Sequence, residues 1–341
     1  MPATTLTTPS RPHAPTAPGG GRLRRGRAER GDRRFNLLLM APAVLVVLAL
    51  FAYPIGYAGW LSLHQWNDKI SPVHPYTGTD NYHQLFTDPA YREALNRTVY
   101  FSVITVLAGV ALAIGLAVLL TQQFRFRALA RVLLLVPWAV PPVVNGIMWH
   151  LIFDGDTGIA NTVLRGLGII DGNKQWLSSP TSAMNVLIFA EMWKLLPFLT
   201  LLFIAALQSV PANLYRAASI DGAGAIRRFA FITLPSIRTT ILFALIVQSM
   251  WSLKVFDTIY VLTGGSGGPA GGTTTVNFFA YLTTFSNLDR GYGAAIAISI
   301  MALVLLIAVF WMLLFRAPSW FVARGIGRRG PGGLGPRRRT A

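Results

Sequence analysis

Four ionisable side chains stand inside stretches that are otherwise apolar: Glu191 and Lys194, and Lys254 and Asp257. Charges in such surroundings are costly to bury and normally face a partner or a water-filled path. Each pair is spaced three residues apart, which on a helix puts both members on one face. Each can therefore neutralise itself between helices or meet a polar ligand. The four charges sum to zero, which favours a neutral ligand over an organic anion. Nearby stretches supply Asn145, Gln248 and Ser252 as hydrogen-bonding groups and Trp251 as an aromatic face. Gln248 and Ser252 are four apart and share a face, with Trp251 one step to the side. Hydrogen bonds combined with an aromatic face suit a polar ligand that also carries an apolar face. Trp149 and Trp193 are equally readable as packing or interfacial aromatics.

The elements that position these residues follow from composition. Of 341 residues, 53% are hydrophobic and 13% charged, a balance that a water-soluble surface of this size would find hard to cover. A helix rises ~1.5 Å per residue and needs about 20 apolar residues to cross a bilayer. Six stretches qualify, at 36–57, 95–121, 132–153, 182–207, 238–262 and 293–315. The fold class expected is all-α and integral to the membrane. Arg33 and Arg34 ahead of the first stretch raise a secretory signal, but further spans follow, so an uncleaved first span is the simpler reading. Residues 1–35, rich in Pro, Gly, Thr and Arg, read as a disordered basic tail, and 316–341 as a second basic tail. Placing both termini in the cytoplasm puts 22 of the 30 Lys and Arg on that side, as the positive-inside rule expects. The net charge of +17 then needs no nucleic acid, and the tails lack the interleaved aromatics that stack bases.

Several chemistries are excluded. Cysteine is absent, which removes disulfides, thiolate nucleophiles and thiolate metal sites. No GxxxxGK[ST] loop is present, and no polar stretch exceeds about forty residues, so a nucleotide-hydrolysing domain has no place in this chain. No cofactor or metal site is expected.

One segment, about 208–236 between the fourth and fifth stretches, carries most of the functional signal. Pro211 suits a helix start, Gly222 permits a break, and Pro235 marks an end. The pattern predicts two short helices, the second with Ile226, Phe229, Ala230 and Thr233 on one face. Ala217-Ala218, Asp221-Gly222-Ala223, Phe229 and Ile232-x-Leu234-Pro235, with nine residues between Gly222 and Ile232, resemble the EAA loop of permease subunits in binding-protein-dependent ABC importers. The resemblance implies that Ala217, Ala218, Asp221, Gly222, Ala223, Phe229, Leu234 and Pro235 contact an ATPase subunit. Arg216 departs from it, standing where the family usually has Glu.

Further matches are Ala41-Pro42, Tyr53-Pro54-Ile55, Pro137-Trp138-Ala139-Val140-Pro141-Pro142, and the run from Phe256-Asp257 through Ile259 to Gly264-Gly265. These look like the permeases of sugar importers of the maltose, trehalose and glycerol-3-phosphate types. The resemblance covers 35–316 and implies a type I ABC importer permease: a transport component, not an enzyme, in a bacterial plasma membrane. It implies as partners a second six-helix permease, an ABC ATPase dimer and an extracytoplasmic sugar-binding protein, beside membrane lipid. The three prolines of 137–142 must interrupt backbone hydrogen bonding, which at membrane depth is tolerated where it lines a cavity or packs on protein. Two other classes make different demands on the sequence. An ion-coupled secondary carrier would show inverted repeats, and none is visible between the 36–150 and 182–315 halves. A membrane-anchored regulator would use its basic tails on anionic lipid.

Overall fold

The computed structural model describes residues 25–316, with side chains from 38 to 315. Most of both expected tails, 1–24 and 317–341, lies outside the described residues. The chain divides into two units, 1–57 and 58–341. The first is helical from Arg25, as part of α1 (Arg25–Leu61). Residues 25–35, expected to be disordered, are thus helical, because Arg, Ala and Glu are good helix formers and join an apolar helix without a break. Pro42 and Pro54 lie within α1, and large apolar side chains such as Leu38, Leu45 and Phe51 are exposed along it.

The second unit continues through α2 (Asp80–Thr87), α3 (Pro89–Thr121), α4 (Arg127–Ala139), α5 (Pro142–Ile152), α6 (Ile159–Gly166) and α7 (Pro180–Gln208). Then come α8 (Ala212–Ile220), α9 (Ala225–Arg228), α10 (Leu234–Ser236), α11 (Arg238–Leu253), α12 (Asp257–Leu262), α13 (Val276–Tyr281) and α14 (Arg290–Arg316). Among the described residues the only strand-like pairing is two isolated bridges, His64 with Tyr76 and Asn67 with Asp289. The long helices start where their sequences say they should. Asp88 accepts from Ala90 N at 2.8 Å ahead of Pro89, and Ser179 accepts from Ser182 N at 3.3 Å ahead of Pro180.

Among the described residues four helices are long and apolar enough to cross a membrane alone, at Leu38–Leu61, Pro89–Thr121, Pro180–Gln208 and Arg290–Phe315. The expected third and fifth spans are not single helices. α4 and α5 meet at 98°, where Pro141 and Pro142 cannot continue the hydrogen-bond ladder. The expected span 238–262 stops at Leu253; residues 254–256 leave the helix, with Phe256 at φ −147°, and α12 starts afresh at Asp257. A second bend, of 70°, separates the Ala225–Ser236 segment from α11. Counting each bent pair as one span gives six.

The helices α3, α7 and α14 run parallel. Tyr100 near the start of α3 bonds Asn185 near the start of α7 at 2.9 Å, and Tyr91 bonds Ser299 of α14 at 3.0 Å. α11 runs against them, its Ala244 and Leu245 packing with Ala117 and Leu120 near the end of α3. One end of the bundle therefore carries the starts of α3, α7 and α14, and the other carries α8–α10. At the first end Arg290 pairs with Asp68 at 3.1 Å, Lys69 donates to Ser286 O at 2.7 Å, and Asn81 donates to Ser62 O and His64 O. These bonds pin the 62–79 loop to α2 and to the start of α14.

Close packing holds α12 on α5. A β-carbon on Gly146 would stand 2.9 Å from Val261 Cβ and 3.3 Å from Thr258 O. Overpacking of this kind costs about 1–3 kcal/mol. Gly146→Val should lower the melting temperature of the detergent-solubilised protein by several degrees and Gly146→Ala by less, as thermal unfolding measures.

Candidate functional site

The two backbone interruptions open onto one cavity. It has a volume of about 260 Å³ and is lined by Pro142 at the α4–α5 break, Lys254, Phe256 and Asp257 at the α11–α12 break, and Glu191, Lys194, Trp251 and Thr258. Backbone that leaves the helix needs polar surroundings or close protein contact, and both breaks have them here.

All four expected charges line this cavity, but not as self-contained pairs. The buried Glu191 carboxylate accepts from the Thr258 hydroxyl of α12. Among the described residues neither Lys194 nor Lys254 makes an ion pair. Lys254 and Asp257 do not share a helix face, since the helix ends between them. Carboxylates that accept and ammonium groups that donate thus face one space, beside the rings of Trp251 and Phe256. Trp251 packs on Phe198 at 5.2 Å, which in turn stacks on Trp138 at 6.2 Å. Hydroxyl-rich ligands with apolar faces match this lining.

The other expected ligand groups lie elsewhere. Gln248 and Ser252 share a face, but it is the buried one, and Ser252 donates to Ser249 O at 2.9 Å. Asn145 is fully buried and donates to Ala190 O at 3.4 Å. Of these three only Asn145 bonds across helices, from α5 to α7, and the Gln248 Oε1 is buried without a hydrogen-bond partner among the described residues; Trp251 alone of that group reaches the cavity. Trp149 and Trp193 are packing residues, 5.5 Å apart and edge-on. Thr258 and Phe256 had no signal as ligand groups beyond lying in the same run as Asp257.

At the opposite level of the bundle α8–α10 form a hairpin. Pro211 precedes α8, and Gly222 sits at φ +75°, a left-handed conformation that a β-carbon resists. Ala223 N donates to Ala218 O at 2.8 Å and Gly222 N to Ser219 O at 3.2 Å, the paired bonds of a Schellman ending. Arg228 Nη1 donates to Ser219 Oγ at 2.7 Å, and Tyr215 and Thr233 hydroxyls share a bond of 3.0 Å. The second arm is not one regular helix: a π-turn at Phe229–Thr233 shifts the register. Phe229 and Thr233 therefore face inward as expected, while Ile226 is 86% exposed and Ala230 is exposed. The helix also runs one residue past Pro235, to Ser236. Arg216 and Ala217 are exposed, Ala218 and Ala223 half-buried, and Asp221 caps α8. Ile220 at 86% and Phe231 at 69% add exposed apolar groups that sequence reading did not single out.

A family model described as binding-protein-dependent transport system inner membrane component matches residues 100–320. A trehalose/maltose transport system permease of Thermococcus litoralis is 36% identical over 84% of this chain and 95% of its own. A trehalose transport system permease of Mycobacterium tuberculosis is 33% identical over 84% and 91%, and an sn-glycerol-3-phosphate permease of Escherichia coli 35% over 82% and 92%. Among solved structures, a bacterial ABC transporter involved in import of the acidic polysaccharide alginate superposes with a TM-score of 0.72 at 21% identity, covering 86% of this chain and 99% of that one. The fold is shared with that protein.

Removing the donor to a buried carboxylate costs about 1–3 kcal/mol. Thr258→Val should destabilise the solubilised protein by that order, and Thr258→Ser, which keeps the hydroxyl, should restore most of it; equilibrium unfolding of the three forms checks this.

Proposed function

The chain belongs to the family of binding-protein-dependent transport system inner membrane components, and we propose that it is a permease subunit of an ATP-driven importer for a sugar. The observation that carries this reading is the polar cavity at the meeting of the two helix breaks, with Glu191, Lys194, Lys254, Asp257 and Trp251 around it. Relatives that carry trehalose and maltose support a small saccharide as cargo. Balanced charge in the cavity favours a neutral sugar over a glycerol phosphate.

In this reading the chain spans the plasma membrane with both termini and the α8–α10 hairpin in the cytoplasm. A second permease completes the pathway, an external binding protein delivers the sugar, and a pair of ATPase subunits receives the hairpin. No bond of the sugar is broken. ATP-driven closure of the ATPases moves the hairpin, α11 follows across the 70° bend, and access to the cavity alternates. Exposed Ile220, Ile226 and Phe231 supply apolar contact to the ATPase, and Ala217 and Ala218 allow close approach. Arg216 meets an acidic residue there.

The test is uptake by the complete importer in proteoliposomes. Trp251→Ala should cut sugar uptake at least tenfold while leaving basal ATPase activity in place. Gly222→Val places a branched side chain at a left-handed position, at about 1–2 kcal/mol. It should leave the chain inserted yet abolish sugar-stimulated ATP hydrolysis and uptake together. Full transport in that variant overturns the coupling role. Arg216→Glu should weaken ATPase-subunit binding several-fold, most at low salt; equal or tighter binding rules out the acidic partner. Single cysteines placed in the loop at 62–79 or at Ile226 of this cysteine-free chain read the orientation through impermeant labelling of intact cells.

A further inference from the structure

A second cavity lies at the end of the bundle that carries the start of α7, on a different face of that helix from Glu191 and Lys194. Its volume is about 430 Å³, and Phe153, Trp176 and Phe189 form its aromatic walls. Phe153 meets Trp176 edge-on at 5.6 Å and Phe189 at 6.4 Å, so the three rings make a corner rather than a stack. Trp176 is fixed by donating from Nε1 to Asn161 Oδ1 at 2.8 Å. The turn after Phe153 is fixed by Asp154, which accepts from Thr157 N and Thr157 Oγ1, both at 2.8 Å. Both walls are therefore held in place without a ligand.

Facing these rings are polar groups with capacity to spare. Asn185 uses its carbonyl oxygen to accept from Tyr100, which orients the amide and leaves its NH₂ without a partner among the described residues. The Thr181 and Ser182 hydroxyls also line the space, and Lys174 stands there with its ammonium 4.4 Å from the Trp176 ring. Hydroxyls and an amide both donate and accept, whereas a phosphate group calls for several cations or a dense array of donors. Among the described residues Lys174 is the only cation lining this cavity, and Arg97 in the neighbouring space is held by Glu93 at 2.8 Å. Aromatic corners beside paired donors and acceptors match the C–H faces and hydroxyl rims of a pyranose.

We infer that this cavity is a separate saccharide-binding subsite, in which Phe153, Trp176 and Phe189 pack the ring and Lys174, Ser182 and Asn185 hold its hydroxyls. In the proposed orientation it lies on the outer side, away from the transport path. It rests on the proposed function only for the choice of sugar probes.

Because the chain lacks cysteine, Ser178→Cys offers one exposed label site beside the cavity. The full-length chain in its purified complex, labelled there with an environment-sensitive fluorophore and held in phosphatidylcholine nanodiscs, is titrated with maltose and trehalose. A saturable shift is expected with at least one of them. Its apparent affinity should fall at least tenfold in Asn185→Ala combined with Phe189→Ala, and likewise in Lys174→Gln. Trp251→Ala, which disables the transport cavity, should leave the shift in place; this separates failure of the subsite from failure of the transport reading. No saturable shift, a shift unchanged in the wall variants, or one abolished by Trp251→Ala overturns the subsite. A shift produced by added phosphatidylglycerol and not by sugar overturns it in favour of a lipid headgroup.

Discussion

Every backbone N–H and C=O of a membrane-spanning chain must find a partner within the protein, because hydrocarbon offers none. Straight helices such as α3 and α7 meet this demand alone, so their sequences need only be apolar. Breaking a helix at membrane depth has to be offset locally, and this chain breaks two in the same neighbourhood. Pro141 and Pro142 end one ladder and residues 254–256 end another. The polar lining gathered there, with Glu191 tied to Thr258 across the gap, is what makes such interruptions sustainable. Loss of regular structure and acquisition of a hydrophilic cavity are thus a single event.

That constraint also explains how the charges are arranged. A lysine and a carboxylate three apart on an unbroken helix can satisfy each other and leave nothing for a ligand. Ending α11 between Lys254 and Asp257 separates that pair, and giving Glu191 a hydroxyl partner leaves Lys194 without an ion pair. The cavity keeps overall neutrality while its individual charges remain available for hydrogen bonding. Gln248, Ser252 and Asn145, by contrast, are buried inside the bundle, away from the cavity, where burial costs less because they are uncharged.

Much of this was readable from residues alone. The spans at 95–121, 182–207 and 293–315 announce themselves by apolar length, though the helices extend a few residues beyond them; the break at 141–142 is marked by consecutive prolines, and the hairpin turn by the glycine at 222, which needs a positive φ. Legibility failed where tertiary contact decides. The expected span 238–262 looks continuous because Lys254, Val255 and Phe256 are all compatible with a helix; only packing of α12 against α5 ends it. The π-turn at 229–233 has no signature in residue type, yet it rotates Ile226 outward relative to Phe229 and Thr233. Tyr215 and Thr233, eighteen residues apart, gave no hint of being partners.

The hairpin around Gly222 has its own cross-links, the Arg228–Ser219 and Tyr215–Thr233 bonds, whereas its junction with α11 is a bend at Ile237 where the chain leaves the helical region at φ −98° and ψ 10°. Ile237 itself is buried in the core between the ends of α3 and α7. A load applied at the tip meets a cross-linked body anchored at that residue, so it passes to α11 as a displacement of the whole hairpin rather than being absorbed by unravelling. The geometry is that of a lever with its fulcrum at residue 237, and the length of rigid arm on either side of that point sets how far α11 travels for a given displacement at the tip.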